Sequence, residues 1–177
     1  MKMLMLAGAA AVALCGCASR DADVEAPSDL TDARAEIRDS SGRTVAVATA
    51  TRAVDRLRVR VEATGLAPGS YGAHVHAVGR CDPPGFESAG PHWNPTGRQH
   101  GSQNPQGPHL GDLPNLLVGA NGEGSFEFAI PGGRLGGGDE AMLDEDGAAL
   151  VIHAGPDDYR TDPSGNSGAR IGCGVFG

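Results

Sequence analysis

The sequence predicts an all-β fold, an eight-stranded antiparallel sandwich or flattened barrel. Three observations point there. Apolar and polar residues alternate with period two along much of the chain, and no segment carries a convincing helical period. The 28 glycines and 12 prolines among 177 residues set turns at short intervals, which suits short strands. Aromatic residues make up only 4%, so the core must rest on Val, Leu, Ile and Ala.

The strands read in order as follows. Ala35 to Arg38 begins the pattern, and Thr44 to Thr49 follows after the turn signal Ser41-Gly42. Leu57-Arg58-Val59-Arg60-Val61 alternates apolar with cationic, as a strand with one wet face should. Tyr71 to Val78 alternates around two histidines. Asn115 to Val118 and Ser125 to Ile130 flank the turn signal Asn121-Gly122. Ala149 to His153 follows Asp146-Gly147, and Arg170 to Phe176 closes the chain. Residues 79–112 have no strand pattern. A loop that long, in a compact domain, is expected to be functional and to be held by something other than backbone pairing.

Ahead of the strands, residues 1–16 read as a signal peptide, with Lys2 as a minimal positive start and Met3 to Leu14 as a short apolar stretch. It is shorter than the roughly 20 apolar residues of a membrane span. Leu14-Cys15-Gly16-Cys17 resembles a bacterial lipoprotein box, with Cys17 as the lipidated residue. The alternative is simple secretion with cleavage at Ala18 or Ser19. Lipidation would anchor the protein to a membrane at the periplasmic face of the bacterial envelope. Residues 17–33, rich in Asp, Ala, Pro and Ser, read as a flexible tether, and residues 34–177 as the folded domain. Beyond the leader and Cys17, Cys81 and Cys173 remain. Export favours a disulfide between them over two free buried thiols.

The net charge of −8 excludes a typical nucleic-acid binder, and loss of Lys2 with the leader makes the remainder more acidic. Such a chain repels small anions overall, so an anionic substrate needs local positive charge.

Six histidines carry the chemistry. His74 and His76 lie two apart on a strand, so both rings project from one face. His92, His100, His109 and Asp112 lie in the long loop. Three imidazoles and a carboxylate complete a closed, tetrahedral zinc shell of the structural kind. His153 ends a strand where it can join His74 and His76, and a copper site of several imidazoles with an open position suits redox cycling.

The segments His74-Val75-His76, Gly90-Pro91-His92-Trp93-Asn94-Pro95, His100-Gly101 and His109-Leu110-Gly111-Asp112-Leu113 resemble copper/zinc superoxide dismutase, as does Gly165 to Val175. The resemblance covers roughly residues 35–177. It implies Greek-key connectivity with two long functional loops, and the disproportionation of superoxide to oxygen and hydrogen peroxide. It implies copper on His74, His76, His92 and His153, and zinc on His92, His100, His109 and Asp112, so that His92 serves both. It also implies that Asp157 links the two sites through His74 and His100, that Cys81 pairs with Cys173, and that Arg170 docks the anion. His92 and Arg170 are thus the catalytic candidates. The interval from His153 to Arg170 is shorter than in animal cytosolic members, and Asp157, Asp158, Arg160 and Asp162 occupy it, which puts steering by this loop in doubt. The subloop around Cys81 also differs in its spacings, and any homodimer interface would be rebuilt with it. The competing reading is a non-enzymatic lipoprotein that buffers copper, which would need neither Arg170 nor a shared histidine.

Overall fold

In a computed structural model, residues 30–138 and 140–177 are described. The leader, Cys17 and most of the tether lie outside them. Nine strands form among the described residues: β1 (Asp32–Arg38), β2 (Thr44–Arg52), β3 (Arg56–Ala63), β4 (Gly69–Tyr71), β5 (Ala73–His76), β6 (Leu116–Val118), β7 (Gly124–Pro131), β8 (Ala149–His153) and β9 (Arg170–Val175). The only helical element there is a 3₁₀ turn, Glu87–Ala89. Pairing starts at Asp32, within the last residues of the stretch read as tether.

Seven strands make one antiparallel sheet in the order β5-β8-β9-β1-β2-β3-β7, and β4 pairs with β6 in a second, small sheet. The expected eight strands become nine because the Tyr71–Val78 run divides at Gly72. There the Gly72 N–H donates to the Gly155 carbonyl at 2.8 Å, and the Gly72 carbonyl accepts from His153 N–H at 2.9 Å. A Cβ at this position would stand 2.9 Å from Ser167 Cβ, so the chain needs glycine where it passes from one sheet to the other. At the Asn121-Gly122 turn, Gly122 takes φ +78°, which closes the connection between β6 and β7.

The alternation of β3 is that of a strand with one wet face: Leu57, Val59, Val61 and Ala63 are buried while Arg56, Arg58, Arg60 and Glu62 are exposed. Its inner face meets Ala46, Ala48 and Ala50 of β2, Ile37 of β1 and Ile130 of β7 in the main core. Each fully buried Leu or Ile there contributes about 1.5–3 kcal/mol over an exposed one. β5 and β8 differ, because every one of their residues is buried. Val75, Leu150 and Ile152 face the main core. Ala149 and Val151 enter a second cluster with Phe86, Ala89 and Cys173, under the loop that follows β5.

Candidate metal centre

The covered face of β5 carries His74 and His76. Both are buried, and isolated bridges pair His74 with Asp112 and His76 with His92. The backbone of the 79–112 loop is thus laid against β5. The Trp93 N–H donates to the Val75 carbonyl at 2.9 Å, and the Val75 N–H to the Gly111 carbonyl at 2.9 Å. His153 reaches the same place from the end of β8, where the register with β9 shifts by a bulge opposite Arg170.

One nitrogen of each inner ring is hydrogen-bonded and fixes the ring. His74 Nε2 meets Asp157 Oδ2 at 3.0 Å, His76 Nδ1 donates to the Gly90 carbonyl at 2.8 Å, and His153 Nδ1 donates to the Gly168 carbonyl at 3.0 Å. His92 Nδ1 meets Asp112 Oδ1 at 2.8 Å. The other nitrogens, His74 Nδ1 and the Nε2 atoms of His76, His92 and His153, are buried and have no hydrogen-bond partner. Among the described residues the only other buried side-chain atom in that condition is Trp93 Nε1. Four unpaired lone-pair donors concentrated in one place are costly unless a ligand satisfies them. Donor atoms of these four residues lie within 4.8 Å of one another.

A second set begins on the far side of the His92 ring. Asp112 Oδ1 stands 2.8 Å from His92 Nδ1, 3.0 Å from His100 Nδ1 and 3.1 Å from His109 Nδ1. Its other oxygen accepts the Gly101 and His109 backbone N–H groups at 2.9 and 3.0 Å. Three imidazoles around a carboxylate, with that carboxylate braced by backbone donors, is a closed donor set suited to zinc. Asp157 ties the two sets together, its Oδ1 at 3.0 Å from His100 Nε2 and its Oδ2 on His74.

At the four inner rings the electrostatics suit metal binding. Burial pushes the rings of His74, His76 and His153 down to about 3, 2 and 4, and His92 also downward, so these rings are neutral at pH 7 and keep a free lone pair. Burial works the same way on His100, but the Asp112 and Asp157 carboxylates on its two nitrogens outweigh it and raise the ring to about 9. Burial opposes the charge on Asp112, yet hydrogen bonds from His100, His109 and His92 hold its carboxyl well below the usual range. Asp157 is likewise lowered, against its burial, by His100 and His74.

A cleft of about 950 Å³ opens over His76, His92 and His153, with Arg170 in its wall. Arg170 is held by the loop: Nη1 donates to the Phe86 carbonyl and Nη2 to the Gly90 carbonyl, both at 2.8 Å. Gly90 O therefore receives both His76 and Arg170. The Cys81–Cys173 disulfide, with Cα atoms 5.6 Å apart, fastens this subloop to β9. The charged residues of the 154–169 loop serve mainly as braces. Asp162 Oδ1 accepts the His100 N–H at 2.6 Å, Arg160 Nε donates to Gln103 Oε1 at 3.0 Å, and Asp158 gathers Thr161 and Asn166.

The chain matches the copper/zinc superoxide dismutase (SODC) family over residues 22–176. The chain belongs to the copper/zinc superoxide dismutase family. A superoxide dismutase [Cu-Zn] 2 of Aquifex aeolicus is 41% identical over 146 residues, 81% of this chain and 85% of that protein. A superoxide dismutase [Cu-Zn] of Caulobacter vibrioides is 40% identical over 147 residues, 81% of this chain and 84% of the other. The crystal structure of a SOD-like protein from Bacillus subtilis matches with TM-score 0.76 at 43% identity, over 80% of this chain and 96% of that chain.

For this family member, the fold brings together all six histidines, Asp112, Asp157 and Arg170, as well as the two cysteines. Sequence reasoning passed over five groups that orient them: the Phe86, Gly90 and Gly168 carbonyls, Asn115 and Tyr159. Carbonyls leave no trace in side-chain identity. Asn115 reads as the first residue of a strand, with nothing to set its side chain apart. Tyr159 has no signal until its φ of +62° is seen.

Proposed function

We propose that His74, His76, His92 and His153 hold copper, that His92, His100, His109 and Asp112 hold zinc, and that His92 and Arg170 are the catalytic residues. The reaction is the disproportionation of superoxide to oxygen and hydrogen peroxide. The observation that carries this assignment is the two-sided setting of His92. Its Nε2 is buried without a partner among the inner rings, and its Nδ1 stands in the outer set. When bound, copper would supply the one-electron exchange with superoxide, and zinc, held by His92, His100, His109 and Asp112, would be structural. The chain's own residues do the rest. His92 lines the cleft, and its Nε2 can hold a proton for the reduced product whenever that lone pair is free. Arg170 stays charged at neutral pH, and Phe86 and Gly90 engage only two of its five donors, so it can receive a small anion. Copper buffering calls for neither feature. The fold is shared with a Bacillus subtilis protein described only as SOD-like, so the complete donor set supports the activity of this chain better than the fold does.

The test is superoxide turnover by the copper- and zinc-loaded domain. His92→Ala is expected to reduce it to background. Arg170→Ala is expected to lower kcat/KM about 10-fold or more and to flatten its salt dependence, with metal content unchanged. Full metal content without turnover in the unmutated domain would overturn the reading in favour of copper storage.

The protein is exported and held by a lipid on Cys17 at the periplasmic face of a bacterial envelope. The leader pattern of residues 1–16 supports this, and so does a disulfide, which persists in oxidising compartments. Mass spectrometry of the intact N-terminus distinguishes lipidation from cleavage at Ala18 or Ser19. Light scattering distinguishes a monomer from the homodimer that the family resemblance admits.

A further inference from the structure

Asp157 touches both donor sets, so its own placement matters to both metals. An aspartate carboxylate rotates softly about its last torsion, and contacts beyond the two rings restrain that angle and the backbone that carries it. Here a closed ring of four hydrogen bonds does so. The Asp157 N–H donates to Asn115 Oδ1 at 2.8 Å, and Asn115 Nδ2 donates to the Asp157 carbonyl at 2.9 Å. The Asn115 N–H donates to Tyr159 Oη at 2.8 Å, and the Tyr159 N–H donates to Asp157 Oδ1 at 2.6 Å.

Each member of the ring is constrained by the next. The Asn115 amide uses its acceptor and a donor on the same residue, which permits only one orientation of the side chain. Tyr159 is left-handed at φ +62°, a conformation a bulky residue keeps only when its surroundings over-determine it. With the backbone so turned, its N–H reaches back to Asp157 Oδ1 while its carbonyl accepts the Gln103 N–H at 2.9 Å. Three parts of the molecule thus converge: the start of β6, the 154–169 loop and the 79–112 loop. The oxygen that Tyr159 holds is the one on His100 Nε2, and its twin is on His74 Nε2. With those nitrogens engaged, both rings present Nδ1 to their respective donor sets.

We propose that Asn115 and Tyr159 are positioning residues for both metal sites, acting through the orientation of Asp157. The proposal rests on the ligand assignment above. It is tested by binding rather than turnover. Zinc affinity is measured by competition with a chelator, and the copper environment by the Cu(II) electron paramagnetic resonance spectrum. Tyr159→Phe removes only Oη, and Asn115→Leu removes the clamp on Asp157. Each is expected to raise the zinc Kd about 10-fold, the loss typical when a partner outside the ligands themselves is removed, and to shift the copper hyperfine pattern. In an Asp157→Asn background the same changes should add less than about twofold, because the pathway is already cut. Unchanged zinc affinity and copper spectrum in both single variants would overturn the proposal. So would losses that add in full to that of Asp157→Asn, which is what general destabilisation produces. If the unmutated protein binds neither metal, the ligand assignment fails instead.

Discussion

The two halves of the large sheet solve the same problem differently. On β1, β2, β3 and β7 the inner face is apolar and the outer face is wet. Glu36 is shared by Arg34 and Arg38, Arg58 meets Glu127, and Arg60 meets Glu62, all across exposed side chains. On β5 and β8 both faces are covered, and the second cover is loop rather than sheet. A few backbone bonds lay that loop along β5, and histidines, carboxylates and a disulfide fasten it there. The wet half is stabilised by apolar burial and strand pairing. The covered half depends on chemistry that can be removed, and it is where the cleft lies.

Three experiments sharpen that contrast, taken from the largest expected effect to the smallest. Stripping both metals with a chelator should lower the melting temperature and expose residues 79–112 and 154–169 to protease, while the β1–β3 meander stays resistant. The metal contribution is about 4 kcal/mol when free zinc exceeds its Kd a thousandfold. Mass mapping of the first cuts checks this, and first cuts in the β2–β3 hairpin would dissolve the contrast. Next, Cys81→Ser with Cys173→Ser opens a link with a sequence separation of 92 residues and should cost about 2–5 kcal/mol in denaturant unfolding. It should also reduce turnover, because the Phe86 and Gly90 carbonyls that hold Arg170 and His76 lie in the released subloop. Last, Arg60→Ala, which breaks an exposed pair on the wet face, should leave the denaturation midpoint, metal content and turnover where they were.

Much of the architecture was legible in the residues. Leu57-Arg58-Val59-Arg60-Val61 gives β3 almost residue for residue, since a half-buried strand writes its two faces into the period. The break at Gly72 was not legible, because Tyr71 to Val78 alternates straight through it. What divides it is a change of partner across the fold, Tyr71 pairing with Leu116 of β6 and Ala73 with Ile152 of β8. The histidines were legible as a set for the opposite reason: imidazoles and carboxylates are chemically rare donors, and their spacing survives in sequence.

By itself, then, the sequence determined which strands have a wet face, which residues can donate to a metal, and which two cysteines in the domain can pair. Those properties belong to side-chain type and local period. Only the tertiary structure decided how the donors are aimed. The carbonyls of Gly90 and Gly168, the brace of Asp162 on His100, and the ring of Asn115, Asp157 and Tyr159 all bring together groups distant along the chain. An imidazole can present either nitrogen. Which one it presents is set by the hydrogen bond on the other, and that bond exists only once the loops have closed over the sheet.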